Sequence, residues 1–356
     1  WNSVGSGAPT RDPSLFVSIL DGGDARRVIT VSGTSAVKPV IDGWTIRNGN
    51  ATGLTTNCHA HIGSGAGCGG GIHAYQANPM ITHNIIEDNT ALDSADWGSG
   101  GGIYLQDNIE SLIQYNVIRR NDSSIDGTGW GGGIYFYNAG GKTSILDNEI
   151  YENEDSSTTY HSHSGSGIQV YYNADQVQIH GNHIHDNNPL GETYLGSAIA
   201  TQYCDNKMYI DENLVIDNAG MAAIGLSYSA PILTQNTIIT PDSNSGGSLD
   251  GHLDVEPAQT AELVNNIVAQ HHNYNVYVNG DSPYQVWVMM AHNTLAKSDY
   301  GLYVDTNAVV TFDRGIISDN LTGAYMAADS SGDTELQVSY SLFYNKPTSK
   351  HVIRVC

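Results

Sequence analysis

Gly101-Gly102-Ile103-Tyr104-Leu105, followed by Asn116-Val117-Ile118, decides the fold because the chain repeats it. The unit returns as Gly132-Gly133-Ile134-Tyr135-Phe136 with Asn148-Glu149-Ile150. It is preceded by Gly70-Gly71-Ile72-His73-Ala74 with Asn84-Ile85-Ile86. Weaker copies follow at Gly167-Ile168 with Asn182-His183-Ile184, and at Ala198-Ile199 with Asn213-Leu214-Val215. The asparagines form a column: Asn84, Asn116, Asn148, Asn182, Asn213, Asn236, Asn265 and Asn293. A constant motif with variable insertions describes units that cannot bury an apolar face alone and must stack into a solenoid.

Each repeat parses into three short strands, which in the second clear copy are 102–105, 111–115 and 117–118. Alternation turns Ile103 and Leu105 inward, and Tyr104 and Gln106 outward. Asn116 falls at the corner between the second and third strands. A column of amides there can hydrogen-bond along the stack and satisfy buried polar groups at every rung.

The pattern Gly-Gly-Gly-Ile-Tyr, Asn-x-Ile, Asp-Asn, with the opening Ser18-Ile19-Leu20-Asp21-Gly22-Gly23, resembles the right-handed parallel β-helix repeat proteins of the pectate-lyase-like group. The resemblance implies an all-β chain: a single-stranded right-handed parallel β-helix of about ten coils over 18–345. Residues 1–17 would be a lead-in or cap and 346–356 a tail. The group includes lyases, hydrolases, epimerases and non-catalytic adhesins, so the resemblance specifies fold more than activity. Most of the extra length lies between the third strand of one coil and the first of the next, at 47–67, 89–99, 120–130, 152–164 and 186–195. These loops should share one corner and wall a groove over the first sheet, which in enzymes resembling this chain holds the substrate.

Composition narrows the partners. The 37 acidic residues against 14 Lys plus Arg give a formal net charge of −23, which disfavours nucleic acid and anionic membranes. No stretch is apolar for long enough to cross a membrane. The chain starts at Trp1 without Met or a signal peptide, which reads as a mature form or a fragment. Cys58 and Cys68 lie in one Gly-rich loop, close enough to pair in an oxidising compartment. An extracellular or cell-surface location fits both observations. Asn50, Asn121 and Asn320 open glycosylation sequons.

Parity along the first strands turns His73, Tyr75, Tyr104, Gln106, Tyr135, Tyr137, Gln169 and Tyr171 outward, and the loops add Trp97, Trp130 and Tyr160. Aromatic faces among amides suit sugars, so Tyr75, Tyr104, Tyr135, Tyr137, Tyr171, Trp97, Trp130 and Tyr160 are the substrate-binding candidates. The competing reading is a tyrosine ladder that merely stabilises the sheet. Asp250-Gly251-His252-Leu253-Asp254-Val255-Glu256 differs from every other strand. Its alternation puts Asp250, His252, Asp254 and Glu256 on one face, with Asp254 and Glu256 in the column of Tyr277 and Asn279. Asp254 and Glu256 would serve as acid and base, His252 orienting them and Asp250 tuning their charge. Asp250, Asp254 and Glu256 would equally hold Ca²⁺, and an idle acidic face is the third reading. Tyr160-His161-Ser162-His163 is a weaker metal candidate, while His183 and His185 flank inward Ile184 and should simply face solvent.

No Lys or Arg stands among the outward first-strand positions, and the Asp, Gly-His and Arg-Ile-Lys strings of polygalacturonases are not present as a set. Two readings remain. The first is an extracellular protein that binds, and in one version cleaves, a polysaccharide or cell-surface glycan along a Tyr-lined groove. The second is a non-catalytic adhesive, filament-forming or otherwise self-associating surface protein.

Overall fold

A computed structural model describes residues 17–34, 36–58, 66–94, 96–108, 110–139, 142–156, 165–173, 176–190, 197–204, 208–220, 222–240, 250–251, 260–280, 285–327, 333–344 and 353–354. The chain is a right-handed parallel β-helix: every pairing between its named strands is parallel and joins one coil to the next. The first sheet runs as seven strands from Ile29–Ser32 to Ile224–Ser227. It is continued by five more, from Asp250–Gly251 to Ile353–Arg354. The second sheet has eleven strands and the third twelve, so the stack reaches twelve turns where about ten were expected. The extra turns are the terminal ones, Ile19–Asp21 and Leu342–Tyr344, where the motif is least regular.

The core follows from parity. Ile72, Ile103, Ile134, Ile168, Ile199 and Ile224 stack in one column, and Ile81, Ile113, Ile145 and Ile179 in another. All ten are fully buried. Each such side chain contributes roughly 2 to 3 kcal/mol of apolar burial. Branched side chains also fit the pleated surface they stack on.

The amide column exists with one change of member. Asn116 donates from Nδ2 to Asn148 Oδ1 (3.0 Å) and to the Ile81 carbonyl (2.8 Å), and the same links recur up the stack. After Asn236 the column passes through Asn266 rather than Asn265. Asn265 takes the left-handed corner (φ 56°) and leaves Asn266 facing inward. A second amide ladder stands at the corner after the third strand: Asn89, Asn121, Asn153, Asn187 and Asn218. Its sequence trace is the Asp-Asn or Glu-Asn step after the third strand, present in four of these five coils and replaced by Arg120-Asn121 in the other.

The triple glycines follow from the same corner. Gly69, Gly100 and Gly131 have φ near 64°. A Cβ on Gly70, Gly101 or Gly132 would lie 2.1–2.4 Å from the carbonyl oxygens of Thr90, Asp122 and Glu154. The loop that leaves the third strand thus returns beneath the next rung, where only glycine fits. The returning segments pair with one another as Gly67–Cys68, Trp97–Ser99 and Thr128–Trp130, so the loop wall is itself a small parallel sheet.

Candidate functional site

That wall closes over the first sheet instead of standing beside it. Cys58 and Cys68 are joined as a disulfide with Cα atoms 6.0 Å apart, which staples the first loop. Arg27 fastens it further, donating to the carbonyls of Cys68 (2.6 Å), Gly69 (3.0 Å) and Leu54 (3.3 Å). Burial pulls Arg27 down to about 10. Beneath lies His73, 1% exposed, with Nε2 donating to the Asn57 carbonyl (3.1 Å). Burial, and then the Arg27 charge, pulls His73 down to about 4, so the ring is neutral at physiological pH.

His73 stacks on Tyr104 (5.2 Å between centroids), Tyr104 on Tyr135 (5.4 Å), and Trp130 covers Tyr135 (6.4 Å). Tyr104 and Tyr135 do point away from the coil interior, but they are 0% and 1% exposed. Together with Cys68 they form a separate small core beneath the wall. The expectation that they line an open groove is therefore corrected. Parity fixes which face of a strand a side chain leaves by; it says nothing about what is packed on that face. The Tyr104 hydroxyl is satisfied within the protein, donating to Gln106 Oε1 (2.7 Å). Trp97 and Trp130 meet edge to face at 4.9 Å and are half-buried in the wall.

Beyond the wall the aromatics reach the surface. Tyr75, Tyr137 and Tyr171 are half-buried, as are Gln106 and Gln202 in the same column. Tyr137 and Tyr171 stack at 6.0 Å. Parity along the strands missed the next column, where a left-handed residue interrupts or follows the first strand. It comprises Gln76, Asp107, Asn138, Tyr172, Tyr203 and Tyr228, with φ between 46° and 55°. Tyr172 is 47% exposed and stacks on Tyr203 (4.9 Å), which stacks on Tyr228 (5.1 Å). Asn138 Nδ2 donates to Asp107 Oδ1 (2.6 Å). The result is a stripe of phenols, amides and a carboxylate with one member per coil. Desolvation pushes Tyr171 up to about 12 and raises Tyr137, so both phenols remain donors.

The acidic strand is only partly described. Asp250–Gly251 joins the first sheet and pairs Asp250, rather than Asp254, with Tyr277. His252, Asp254 and Glu256 lie outside the described residues, as do Tyr160, His161 and His163. The neighbouring column carries tyrosines: Tyr277 and Tyr303 stack at 5.4 Å, Tyr303 and Tyr325 lie 4.7 Å apart, and Tyr277 donates to Asp305 Oδ2 (2.7 Å).

Sequence reasoning passed over a carboxylate pair on the loop corner. Asp122 and Glu154 are bridge partners on successive rungs. With Arg120, Asn121 and Glu152 they line an open pocket of about 420 Å³. Desolvation pushes Asp122 up to about 7, the Glu154 charge adding to it, and desolvation also raises Glu154. A carboxyl group kept protonated toward neutral pH is the raw material of acid–base chemistry. Arg120 is committed elsewhere, to Asp88 and Glu87. Two of the three sequon asparagines, Asn121 (0% exposed) and Asn320 (2%), are corner amides buried in the stack.

Residues 125–238 match the family model described as the right handed beta helix region. No curated protein matches the chain, and no solved structure does. The matched segment spans the central coils; the second and third sheets continue from it in both directions in parallel register, and the first resumes beyond it as its five-stranded run. The chain is a right-handed parallel β-helix repeat protein.

Proposed function

We propose that this β-helix is an extracellular carbohydrate-binding protein, and that its glycan runs along the stripe formed by Tyr75, Gln106, Tyr137, Tyr171, Tyr172 and Tyr203. A β-helix is compatible with carbohydrate-binding and polysaccharide-acting proteins. The observation that carries the reading is the repeat of the stripe, with aromatic neighbours 4.9–6.0 Å apart from one coil to the next. That spacing follows from the strand separation of a sheet and is comparable with the length of one pyranose unit. A periodic surface of phenol hydroxyls, amides and ring edges thus offers an equivalent foothold to each sugar of an extended chain. The buried Tyr104 and Tyr135 are not part of it. The net charge of −23 favours a neutral glycan over a polyanion, and the Cys58–Cys68 disulfide fits an oxidising compartment.

The test separates recognition from stability. Tyr137→Phe, Tyr171→Phe and Tyr203→Phe together delete three hydroxyls and keep every ring contact. Retention on a panel of neutral polysaccharides should fall by about tenfold or more, at about 0.5–1.5 kcal/mol per lost hydrogen bond, with the denaturation midpoint little changed. Undiminished retention by the triple variant, or no retention by the wild-type protein on any glycan, would sink the reading.

A further inference from the structure

The outer face of the third sheet carries a cluster that the glycan stripe does not use. Glu149–Tyr151 and His183–His185 are neighbouring strands in register, with Glu149 opposite His183 and Tyr151 opposite His185. Ile150 and Ile184 between them are fully buried, so Glu149, His183 and His185 all leave on the opposite, outer face. The expectation that the two histidines merely face solvent is too weak. Candidate ligand atoms of Glu149, His183 and His185 lie within 4.8 Å of one another, and the two imidazole centroids are 4.3 Å apart.

His185 is held as a metal-binding histidine usually is. Its Nδ1–H donates to Asp186 Oδ2 (2.8 Å), which fixes the tautomer and leaves the Nε2 lone pair facing the cluster. That Nε2 is shielded from solvent and has no hydrogen-bond partner among the described residues. Glu149 Oε1 stands 3.6 Å away, outside hydrogen-bond range. The ring is clamped flat against Tyr151 (4.8 Å, 7° between planes), whose hydroxyl accepts from Arg119 Nη1 (2.6 Å).

We propose that Glu149, His183 and His185 form a divalent transition-metal site that takes Zn²⁺. Two imidazoles and one carboxylate select a borderline ion over Ca²⁺ or Mg²⁺, which prefer all-oxygen shells. Zinc–ligand bonds of about 2.0–2.2 Å require the donors to draw in slightly. Glu149, half exposed at the rim, supplies that movement. Three protein ligands leave a fourth position toward solvent, and because the ligands come from two rungs, the ion also ties one coil to the next.

The deciding experiment is a calorimetric titration of the disulfide-intact protein with Zn²⁺, with Co²⁺ absorption as a second readout of coordination. Wild type should bind one Zn²⁺ at this site, and His161→Ala with His163→Ala should leave that event in place. Binding should be lost in His183→Gln and in His185→Gln. It should weaken about 10- to 100-fold in Asp186→Asn, which replaces the carboxylate that orients His185 by a neutral, weaker acceptor. Glu149→Gln changes an exposed side chain, so its fold is secure, and it too must weaken binding. No stoichiometric uptake by wild type, or uptake that survives loss of both His183 and His185, would overturn the site.

Discussion

The two runs of the first sheet place tyrosines at equivalent outward positions and give them opposite fates. In the N-terminal run, Tyr104 and Tyr135 are sealed under the wall formed by Gly67–Cys68, Trp97–Ser99 and Thr128–Trp130. In the C-terminal run, Tyr277, Tyr303 and Tyr325 stack in the same way, yet remain half-exposed, with no described strand over them. Strand and stack are alike in the two regions; the insertion differs. What a β-helix exposes is therefore set by the loops that enter at one corner, and the coil pattern alone does not determine it.

The amide ladders follow the same division, and they give the largest expected effect. At the loop corner the second ladder is continuous from Asn89 to Asn218, whereas in the C-terminal run Asn320 alone among the described residues keeps an amide there, accepting from the Ser298 N–H and from Asn275 of the first sheet. Asn153 donates to Asn187 Oδ1 (3.0 Å) and to the Ile118 carbonyl (2.9 Å), and accepts from Asn121 Nδ2 (2.9 Å). Asn153→Ala strands all of these buried groups. At about 1–3 kcal/mol for each, it should cost on the order of 5 kcal/mol and fail first in the central coils. Asn320→Ala removes this single corner amide near the end of the stack and should cost about half as much. Hydrogen exchange resolved by coil checks both, and equal losses would remove the distinction between a continuous ladder and a single amide.

A somewhat smaller contrast tests the wall itself. Tyr104→Ala empties a fully enclosed site and should cost about 3–5 kcal/mol. Tyr303→Ala removes a half-exposed ring and should cost about 1 kcal/mol. Chemical denaturation of the two variants decides the point. If Tyr104→Ala proves as mild as Tyr303→Ala, then the wall lifts readily and the first groove is open after all.

The sequence carried the coil because the coil is a repetition. The Ile columns and the corner Asn recur through the central rungs, so each is read many times over, and an error such as Asn265 for Asn266 is one of phase at a left-handed residue. The site was less legible, for physical reasons. Burial of Tyr104 depends on where residues 89–99 and 120–130 fold back, and those insertions do not repeat. Tyr172 and Tyr203 take a left-handed φ inside their strands and Tyr228 takes one just past its strand, so alternation breaks at all three. Glu149 and the His183–His185 pair are 34 residues apart, and only the register of the third sheet brings them together. The Asp122–Glu154 pair is likewise a product of stacking.

The smallest expected effect uses pH to compare the two regions once more. Among the described residues each holds one buried, neutral histidine: His73 under the wall, and His271, whose Nε2 donates to the Ile238 carbonyl (3.3 Å). Burial pulls each down to about 4. Because the folded-state value lies below the unfolded value near 6.5, the unfolded chain takes up protons first. Stability that is complete above about pH 6.5 should drain away as pH falls toward 4, by about 2 kcal/mol per histidine at pH 4.5. Asp122 works in the opposite sense: raised to about 7, it holds its proton in the folded state and adds stability as pH falls from 7 toward 4. The wild-type profile therefore sums opposing slopes, and a single curve cannot separate them. The difference between wild type and His73→Gln can, because the Asp122 contribution cancels. The gap between their denaturation midpoints should narrow or reverse between pH 7.5 and pH 4.5, by an amount equivalent to about 2 kcal/mol. A gap that stays constant with pH would mean that His73 is protonated within the folded protein, and that water reaches beneath the wall.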